Sequence, residues 1–485
     1  MSGEDLKGVA ARGLAWTAFE KVAQQVIQFV IGVVIARILS PEDFGVVGMT
    51  AIFMAVANTV VDSGFGSALI QKRERGESDY ATCFYVNVGL GLVMYGVMWI
   101  AAPWIAEFYR SEILEDVVRV LGLSFVVNSL CIAQNARMTA EMRFREMSVI
   151  TVVAQLSTGA VGLVMAFMGC GVWALVFQQL AGCVVRLVGV EVYLRWWPKG
   201  GWSWESFRGL FGFGSKILCS SLINTVYNNL YTLVIGRVFS AGDVGYYNRA
   251  NQFAELPSNS LLQVVMKVAY PLMAKVQDDV ERLRAAYRKF LDLPMFVLSP
   301  VLVGMAVLAE PLVLVLLGEK WLMAVPLLRV LCVGAIFSPL THINLNILYV
   351  KGRTDLVLRL ELIKKPIGFL ILFVSMGWGL WWLCAGRALY CLVAYAFNCY
   401  YTGKFIGLGF WRQMGLCLPI WGRAVVMGVA CWVCVVLFEG AWEQLVVGTV
   451  VGAVVYVGMA VVMRDEVLGD LVGFVRGRFM KNKGE

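Results

Sequence analysis

The chain has 485 residues, of which 59% are hydrophobic and only 15% are charged, and its formal net charge is +8. A soluble domain carries more charge and fewer apolar residues, so this composition excludes a soluble fold. The basic residues are spread over short polar segments rather than gathered on one face, which argues against a nucleic-acid-binding surface.

Apolar segments separated by short polar breaks run through the whole sequence. A helix needs roughly 20 apolar residues to cross the hydrocarbon layer. We expect no cleavable signal peptide, because the polar first residues lead directly into an apolar segment. The sequence predicts fourteen helices, numbered here as spans 1 to 14: 14–39, 44–70, 80–106, 115–136, 148–168, 171–194, 207–239, 243–273, 290–316, 322–350, 357–377, 379–402, 418–438 and 442–463.

The breaks between the spans alternate in charge. One set is rich in Lys and Arg, whereas the other carries chiefly Arg37, Arg110, Arg237 and Lys320. Because Lys and Arg accumulate on the cytoplasmic side, we expect both termini to be cytoplasmic. The longest break, residues 275–289, predicts a cytoplasmic amphipathic helix between spans 8 and 9.

A short phrase occurs twice, 200 residues apart: IARILSPEDFG at 35–45 and IGRVFSAGDVG at 235–245. Each copy follows the first helix of a six-helix block. A serine N-cap and an acidic capping-box partner start the next helix, and an arginine closes the preceding one. We therefore interpret the phrase as a structural hairpin rather than a binding site. Its assigned residues are Arg37, Ser40, Asp43, Arg237, Ser240 and Asp243.

The repeat divides the predicted spans into two lobes. Spans 1 and 7 are separated by an even number of crossings, so the lobes are parallel repeats about an axis along the membrane normal. The fold class is all-α integral membrane, with about 14 transmembrane helices. The predicted parts are an N-lobe at 1–194, a C-lobe at 207–402, a terminal helix pair at 418–463 and a basic cytoplasmic tail at 464–485.

Polar side chains form stripes on spans 1, 7 and 8, at three- and four-residue spacing. Such stripes are costly in a membrane and face a bundle interior or an aqueous cavity, although amides that bond neighbouring helices together are the alternative for any one residue. Because the stripes occur in both lobes, we favour a wet cavity between the lobes. The stripe residues are Lys21, Gln24, Gln25, Gln28, Lys216, Asn224, Tyr227, Asn228, Tyr231, Arg249, Gln252 and Glu255.

Other polar residues within predicted spans have less definite roles. Arg387 can lie near a helix end and extend to the interface. His342, the one histidine in the chain, could titrate during transport, but a hydrogen-bonded packing role is favoured. Lys364 and Lys365 lie at an unusual depth in span 11, and the sequence leaves their role open.

Several segments resemble the polysaccharide flippases of the multidrug/oligosaccharidyl-lipid/polysaccharide exporter superfamily. Residues 242–277, beginning GDVGYYNRANQF, resemble the helix 8 signature of its polysaccharide-transporter branch. Residues 39–49 resemble the start of its helix 2, and residues 137–148 and 350–356 resemble its cytoplasmic hinges. The resemblance covers nearly the whole chain and is weakest after about residue 405.

The resemblance implies a two-lobed flippase that works by alternating access. Its expected cargo is an undecaprenyl-pyrophosphate-linked oligosaccharide, moved from the inner to the outer leaflet of the bacterial cytoplasmic membrane. The cationic side chains of the stripes would bind the pyrophosphate. The amide side chains would hydrogen-bond to the sugar hydroxyls, and the tyrosine rings would stack on the faces of the sugar rings. Membrane lipids are expected partners, and polysaccharide polymerase machinery is a further candidate. The sequence predicts no cofactor, metal site or catalytic residue and no nucleic-acid partner, and it leaves the coupling ion open.

Three alternatives remain at this point, of which a passive scaffold is disfavoured by the polar stripes that occur in both lobes. A drug/cation antiporter of the same superfamily needs acidic residues in its cavity. The predicted stripes contain mainly Lys, Arg, Asn and Gln, and Glu255 is the main exception. A polysaccharide polymerase or ligase needs a large outer loop for its chemistry, and the predicted breaks are too short for one.

Overall fold

The computed structural model describes residues 23–72, 74–465 and 467–469. Every regular element in these ranges is helical, as the sequence predicts. The helices are α1 (Ala23–Ile38), α2 (Pro41–Asp62), α3 (Phe65–Gln71), α4 (Glu77–Tyr109), α5 (Ile113–Ala140), α6 (Phe144–Phe167), α7 (Val172–Leu194), α8 (Trp204–Val238), α9 (Ala241–Lys275), α10 (Val280–Val307), α11 (Ala309–Leu316), α12 (Ala324–Ala335), α13 (Phe337–Val350), α14 (Thr354–Met376), α15 (Leu380–Ile406), α16 (Phe410–Leu437) and α17 (Ala441–Val462).

Ten helical segments in the described ranges are long and apolar enough to cross a membrane. They correspond to predicted spans 2–6, 9, 10 and 12–14. Spans 7, 8 and 11 are also helical and correspond to α8, α9 and α14. These helices carry many of the polar stripe residues and the two lysines of span 11. The chain is therefore an all-α, multi-pass membrane protein, while the count of fourteen spans stays a prediction.

Span 2 is not one continuous helix. α2 ends at Asp62, and Ser63 and Gly64 have left-handed φ values of 49° and 71° before α3 begins. A Cβ at position 64 would lie 2.7 Å from the carbonyl oxygen of Gly214 on α8. The positive φ and the close backbone together explain why this break requires glycine. Span 10 comprises two helices, α12 and α13, which meet at Ile336, where the backbone keeps a right-handed helical conformation (φ −61°, ψ −34°).

The predicted separate amphipathic helix at 275–289 is wrong. α9 continues to Lys275, and α10 begins at Val280 and runs on without interruption to Val307. Asp279 starts α10, because its carboxylate accepts hydrogen bonds from the backbone N–H groups of Glu281 and Arg282, both at 3.1 Å. The polar segment is thus the first turns of a long helix that continues into span 9.

The chain divides into two compact units, and the boundary between them lies between Gly245 and Tyr246. In the first unit, α4 packs against α5, α6 packs against α7, and α8 lies along α2. One of its core clusters contains Phe65, Leu69 and Phe84. The lobe boundaries derived from the sequence repeat are a different division and stay predictions.

The second unit has a polar network within its core. Gln413, near the start of α16, donates from its amide nitrogen to Asn344 Oδ1 (2.9 Å) and to the carbonyl of Leu408 (2.7 Å). Its amide oxygen accepts a hydrogen bond from the Tyr287 hydroxyl at 3.1 Å. All three side chains are buried. Because unpaired polar groups are costly in a core, this network fixes the start of α16 against α10 and α13.

Candidate functional site

Helix α8 carries five of the predicted substrate-binding residues. Its first turn is held by Ser203, whose hydroxyl accepts a hydrogen bond from the backbone N–H of Ser206 at 3.3 Å. On the packed side, Thr225 Oγ1 lies 3.1 Å from Thr59 Oγ1 of α2. Of the predicted residues, Lys216, Asn224 and Asn228 are exposed, and Tyr227 and Tyr231 are half-buried. The helix therefore presents an ammonium group and two amides away from its packed side.

Helix α1 carries the predicted amides of span 1. Gln24 is half-buried, whereas Gln25 and Gln28 are exposed. Further along the helix, Ile31 packs so closely on α6 that a Cβ added at Gly159 would lie 1.9 Å from its Cδ1 atom. Lys21, the predicted cation of this stripe, lies outside the described residues.

In the second unit, α9 carries the remaining stripe residues. Arg249 donates from Nη1 to Gln252 Oε1 at 2.8 Å. Glu255 forms an ion pair with Arg387 of α15, and Arg387 also donates to the hydroxyl of Tyr247. Glu255 is the main acidic residue among the stripe residues, and an antiporter would need such a group. Its negative charge is balanced by Arg387. No local pattern could indicate this partner, because it lies 132 positions away.

The structure brings some of the predicted substrate residues together and distributes the rest. Arg249 and Gln252 are hydrogen-bonded, and Lys216, Asn224 and Asn228 are exposed side chains of α8. The α1 and α8 residues belong to the first unit, and the three α9 residues belong to the second. Ammonium and guanidinium groups can bind phosphate oxygens, and amides can both donate to and accept from sugar hydroxyls. Their role in binding stays a prediction.

Both copies of the repeated phrase form capping boxes. Ser40 Oγ accepts from the Asp43 N–H at 3.2 Å, and Asp43 Oδ2 accepts from the Ser40 N–H at 3.0 Å. Ser240 and Asp243 repeat this geometry at 3.1 Å for both bonds. Pro41 occupies the first turn of α2. The local capping predicted from the sequence is present in both copies.

The sequence did not reveal that the two copies touch each other. A Cβ at Gly45 would lie 1.6 Å from the carbonyl oxygen of Ala241, and a Cβ at Gly245 would lie 2.1 Å from the carbonyl oxygen of Pro41. The contact is reciprocal, because each glycine of one copy faces the first helical residue of the other. We call this contact, formed by Pro41, Gly45, Ala241 and Gly245, the glycine crossing. It accounts for the glycine in each copy of the phrase.

Comparison with known families gives a match over more than half of the chain. The family described as polysaccharide biosynthesis protein matches residues 34–326. Two relatives carry names from polysaccharide synthesis. The chain is 28% identical to the lipopolysaccharide biosynthesis protein WzxC of Escherichia coli (strain K12), over 73% of this chain and 72% of the relative. It is 25% identical to the succinoglycan biosynthesis transport protein ExoT of Rhizobium meliloti (strain 1021), over 96% of both chains.

Among solved structures, the chain is similar to a lipid II flippase, MurJ, with a TM-score of 0.75. The match covers 94% of this chain and 100% of that chain, at 11% sequence identity. At this identity the likeness establishes the fold alone.

Proposed function

The chain belongs to the polysaccharide biosynthesis protein family, and on that premise we propose that it is a flippase that carries lipid-linked oligosaccharides across the membrane for cell-surface polysaccharide synthesis. The observation that carries the proposal is the match to ExoT along 96% of both chains. A relative that is named a transport protein and matches end to end supports transport as the activity of the whole chain.

The cargo proposed is an oligosaccharide linked to undecaprenyl pyrophosphate. A pyrophosphate with several sugars cannot enter hydrocarbon unshielded, because its charges and hydroxyls would lose their hydration without replacement. Exposed Lys216 and hydrogen-bonded Arg249 offer cationic donors for the pyrophosphate. Exposed Asn224 and Asn228 offer amides for sugar hydroxyls. The polyprenyl tail can stay in the lipid throughout.

Transport would proceed from the inner to the outer leaflet of the bacterial cytoplasmic membrane, by alternating access. The excess of Lys and Arg in alternate breaks supports cytoplasmic termini. Polysaccharide polymerase machinery is a candidate partner, because a flipped repeat unit must next be joined to a growing chain. The proposed activity is translocation without covalent change to the cargo.

The two rival functions are less well supported. A drug/cation antiporter needs an available acidic group, and Glu255 is paired with Arg387. A polymerase or ligase needs an extended outer loop, and the described helices are joined by short connections. The family match and the names of both relatives also favour polysaccharide synthesis.

Export in cells tests the proposal through the stripe cations. Lys216→Ala and Arg249→Ala should each reduce surface polysaccharide several-fold and cause the lipid-linked precursor to accumulate, at unchanged abundance of the membrane protein. Lys404→Ala is the matched control, because Lys404 is an exposed lysine in the last turn of α15. Export at the wild-type level by both stripe variants would show that these cations do not bind the cargo.

A further inference from the structure

The connection between α7 and α8 exposes tryptophan side chains. It runs from Arg195 to Ser203 within the first unit and is irregular. Trp197 and Trp202 of this connection and Trp204, the first residue of α8, are 55%, 51% and 60% exposed, respectively. We call these three side chains the tryptophan platform. Several large aromatic side chains exposed on one short segment mark a surface that interacts with a partner, because in water their apolar area would stay unburied.

The connection is fixed against the first turns of α4. Trp196 is buried, and its Nε1 donates a hydrogen bond to Glu77 Oε2 at 2.9 Å. The backbone N–H of Ser203 donates to Thr82 Oγ1 at 3.1 Å. A Cβ at Gly200 would lie 3.2 Å from the carbonyl oxygen of Glu77, so the backbone itself lies against α4. Since these contacts hold the connection along its length, the platform side chains are directed outward by the backbone that carries them.

Aromatic contacts hold the platform rings on the core of the first unit. Phe207, early in α8, stacks on Trp202 with ring centroids 5.4 Å apart and on Trp204 with centroids 5.1 Å apart. Phe207 also packs against a core cluster of this unit. Trp197 makes an edge contact with Phe84 of the same cluster, with centroids 5.9 Å apart. The platform is therefore an ordered surface rather than a set of free side chains.

The tryptophan platform lies at the depth of the lipid headgroups. α7 has 23 residues, which correspond to about 35 Å at a rise of 1.5 Å per residue. The hydrocarbon layer is about 30 Å thick. Because the connection begins directly after α7, the platform lies where hydrocarbon gives way to headgroups. Tryptophan is enriched at this level of a membrane, since its ring is apolar and its N–H group is polar.

The same segment carries an excess of positive charge. Arg195, Lys199 and Arg208 are exposed, and Glu205 is the acidic residue between positions 195 and 211. The connection belongs to the breaks rich in Lys and Arg, which the orientation proposed above places in the cytoplasm. A cation close to an anionic leaflet strengthens binding to it about fivefold. The three cations therefore favour a negatively charged lipid surface.

We propose that the tryptophan platform and the three cations form a binding surface for acidic phospholipid headgroups of the cytoplasmic leaflet. The indole rings lie among the headgroups, and the guanidinium and ammonium groups pair with the lipid phosphates. Because the connection is fixed to α4, this surface anchors the first unit at one depth in the leaflet. The surface binds the surrounding lipid and not the cargo, so it does not rest on the transport function proposed above.

Spin-labelled lipids test the surface in the full-length protein. The protein, with fluorotryptophan in place of tryptophan, is reconstituted in phosphatidylcholine nanodiscs. The discs contain either phosphatidylglycerol or phosphatidylcholine with a nitroxide at the top of one acyl chain. The 19F NMR signals of the platform are identified by Trp197→Phe, Trp202→Phe and Trp204→Phe. These signals should broaden, and more strongly with labelled phosphatidylglycerol than with labelled phosphatidylcholine.

Trp321 is the internal reference, because its side chain is fully buried. Its signal, identified by Trp321→Phe, should stay sharp with both labelled lipids, and reduction of the nitroxide should restore the platform signals. Platform signals as sharp as that of Trp321 would overturn the proposal, because they would place the rings away from the headgroups. Equal broadening by the two labelled lipids would overturn the preference for an acidic headgroup.

Removal of the positive charge tests the role of the cations. Arg195→Gln/Lys199→Gln/Arg208→Gln should lower the preference for phosphatidylglycerol about tenfold or more, while the platform signals keep their chemical shifts. These three side chains are exposed, so the variant should fold. A preference retained in this variant would overturn the assignment of the headgroup site to these cations.

A second triple variant is the matched control. Lys275→Gln/Arg282→Gln/Lys404→Gln removes three exposed cations outside the connection and should leave the preference at the platform unchanged. A loss as large as in the first variant would overturn the proposal, because it would show an effect of net charge alone. Platform signals that shift with a soluble oligosaccharide and show no preference for phosphatidylglycerol would assign the rings to sugar binding and would also overturn it.

Discussion

Alanine at position 45 or 245 should destabilise the protein, although glycine-to-alanine changes inside helices normally stabilise. The added methyl group would lie 1.6 Å from the Ala241 carbonyl oxygen in Gly45→Ala, and 2.1 Å from the Pro41 carbonyl oxygen in Gly245→Ala. Carbon and oxygen atoms in close contact stay about 3.3–3.6 Å apart. Both obstacles are backbone atoms, so no side-chain rotation can relieve the overlap, and the two helix starts must separate by about 1–2 Å.

The expected magnitude combines two opposing terms. Overpacking of this kind costs about 1–3 kcal/mol, and sometimes more. The higher helix propensity of alanine offsets about 1 kcal/mol at most. Both obstacles are backbone atoms, which places the cost in the upper part of this range, so we expect a net loss of about 1–2 kcal/mol for each variant, larger for Gly45→Ala because its overlap is greater. In the double variant a single separation of the helices relieves both overlaps, so its loss should be smaller than the sum.

Thermal unfolding of the purified protein in detergent measures the effect. Gly89→Ala and Gly96→Ala are the matched controls, because both glycines lie within α4 and a Cβ at either position would meet no atom within 4 Å. These controls should be neutral or more stable than the wild type by up to about 1 kcal/mol. If Gly45→Ala and Gly245→Ala behaved like these controls, the helix starts would not approach each other as closely as the glycine crossing requires.

Four further variants test the hairpin caps and the buried polar contacts by thermal unfolding and export. Asp43→Ala and Asp243→Ala should each lose about 0.5–2 kcal/mol of stability, with export per molecule retained; normal stability with abolished export would refute the structural role. Asp465→Asn leaves the guanidinium of Arg423, which is 5% exposed, without its carboxylate partner, and should lower the free energy of unfolding by about 3–5 kcal/mol. Replacement of Arg423 and Asp465 together by leucine should lower it less, because no unpaired charge stays buried. Gln413→Leu should cost at least about 1–3 kcal/mol, because Tyr287 and Asn344 lose a buried partner; wild-type stability would contradict the network.

The sequence predicted the helices well because hydropathy and capping are local signals. Span 6 was placed at 171–194 and α7 covers Val172–Leu194. Span 14 was placed at 442–463 and α17 covers Ala441–Val462. The break at Ser63 and Gly64 was missed, since both flanking segments are apolar and an average over the span does not detect two residues with positive φ.

Contacts between residues that are far apart in the sequence could not be predicted from it. The 200-residue spacing showed that the phrase recurs, but nothing in it indicated that Gly45 and Ala241 meet. The sequence predicts that Glu255 lies on a polar stripe, whereas its partner Arg387 depends on how α9 and α15 pack. The pairing of Lys364 with Glu361 has a helical spacing that could have been noticed, because residues three apart on a helix are neighbours.

The proposed function is the movement of a pyrophosphate-linked oligosaccharide across a bilayer. The most direct measurement places the purified protein in vesicles with a fluorescent undecaprenyl-pyrophosphate oligosaccharide and follows protection of the sugar from an impermeant glycosidase. Protein-containing vesicles should expose sugar from the inner leaflet, while empty vesicles should keep it protected. The combined Lys216→Ala/Arg249→Ala variant should slow this exposure at least tenfold. Equal protection in vesicles with and without the protein, at confirmed insertion and folding, would contradict the claim.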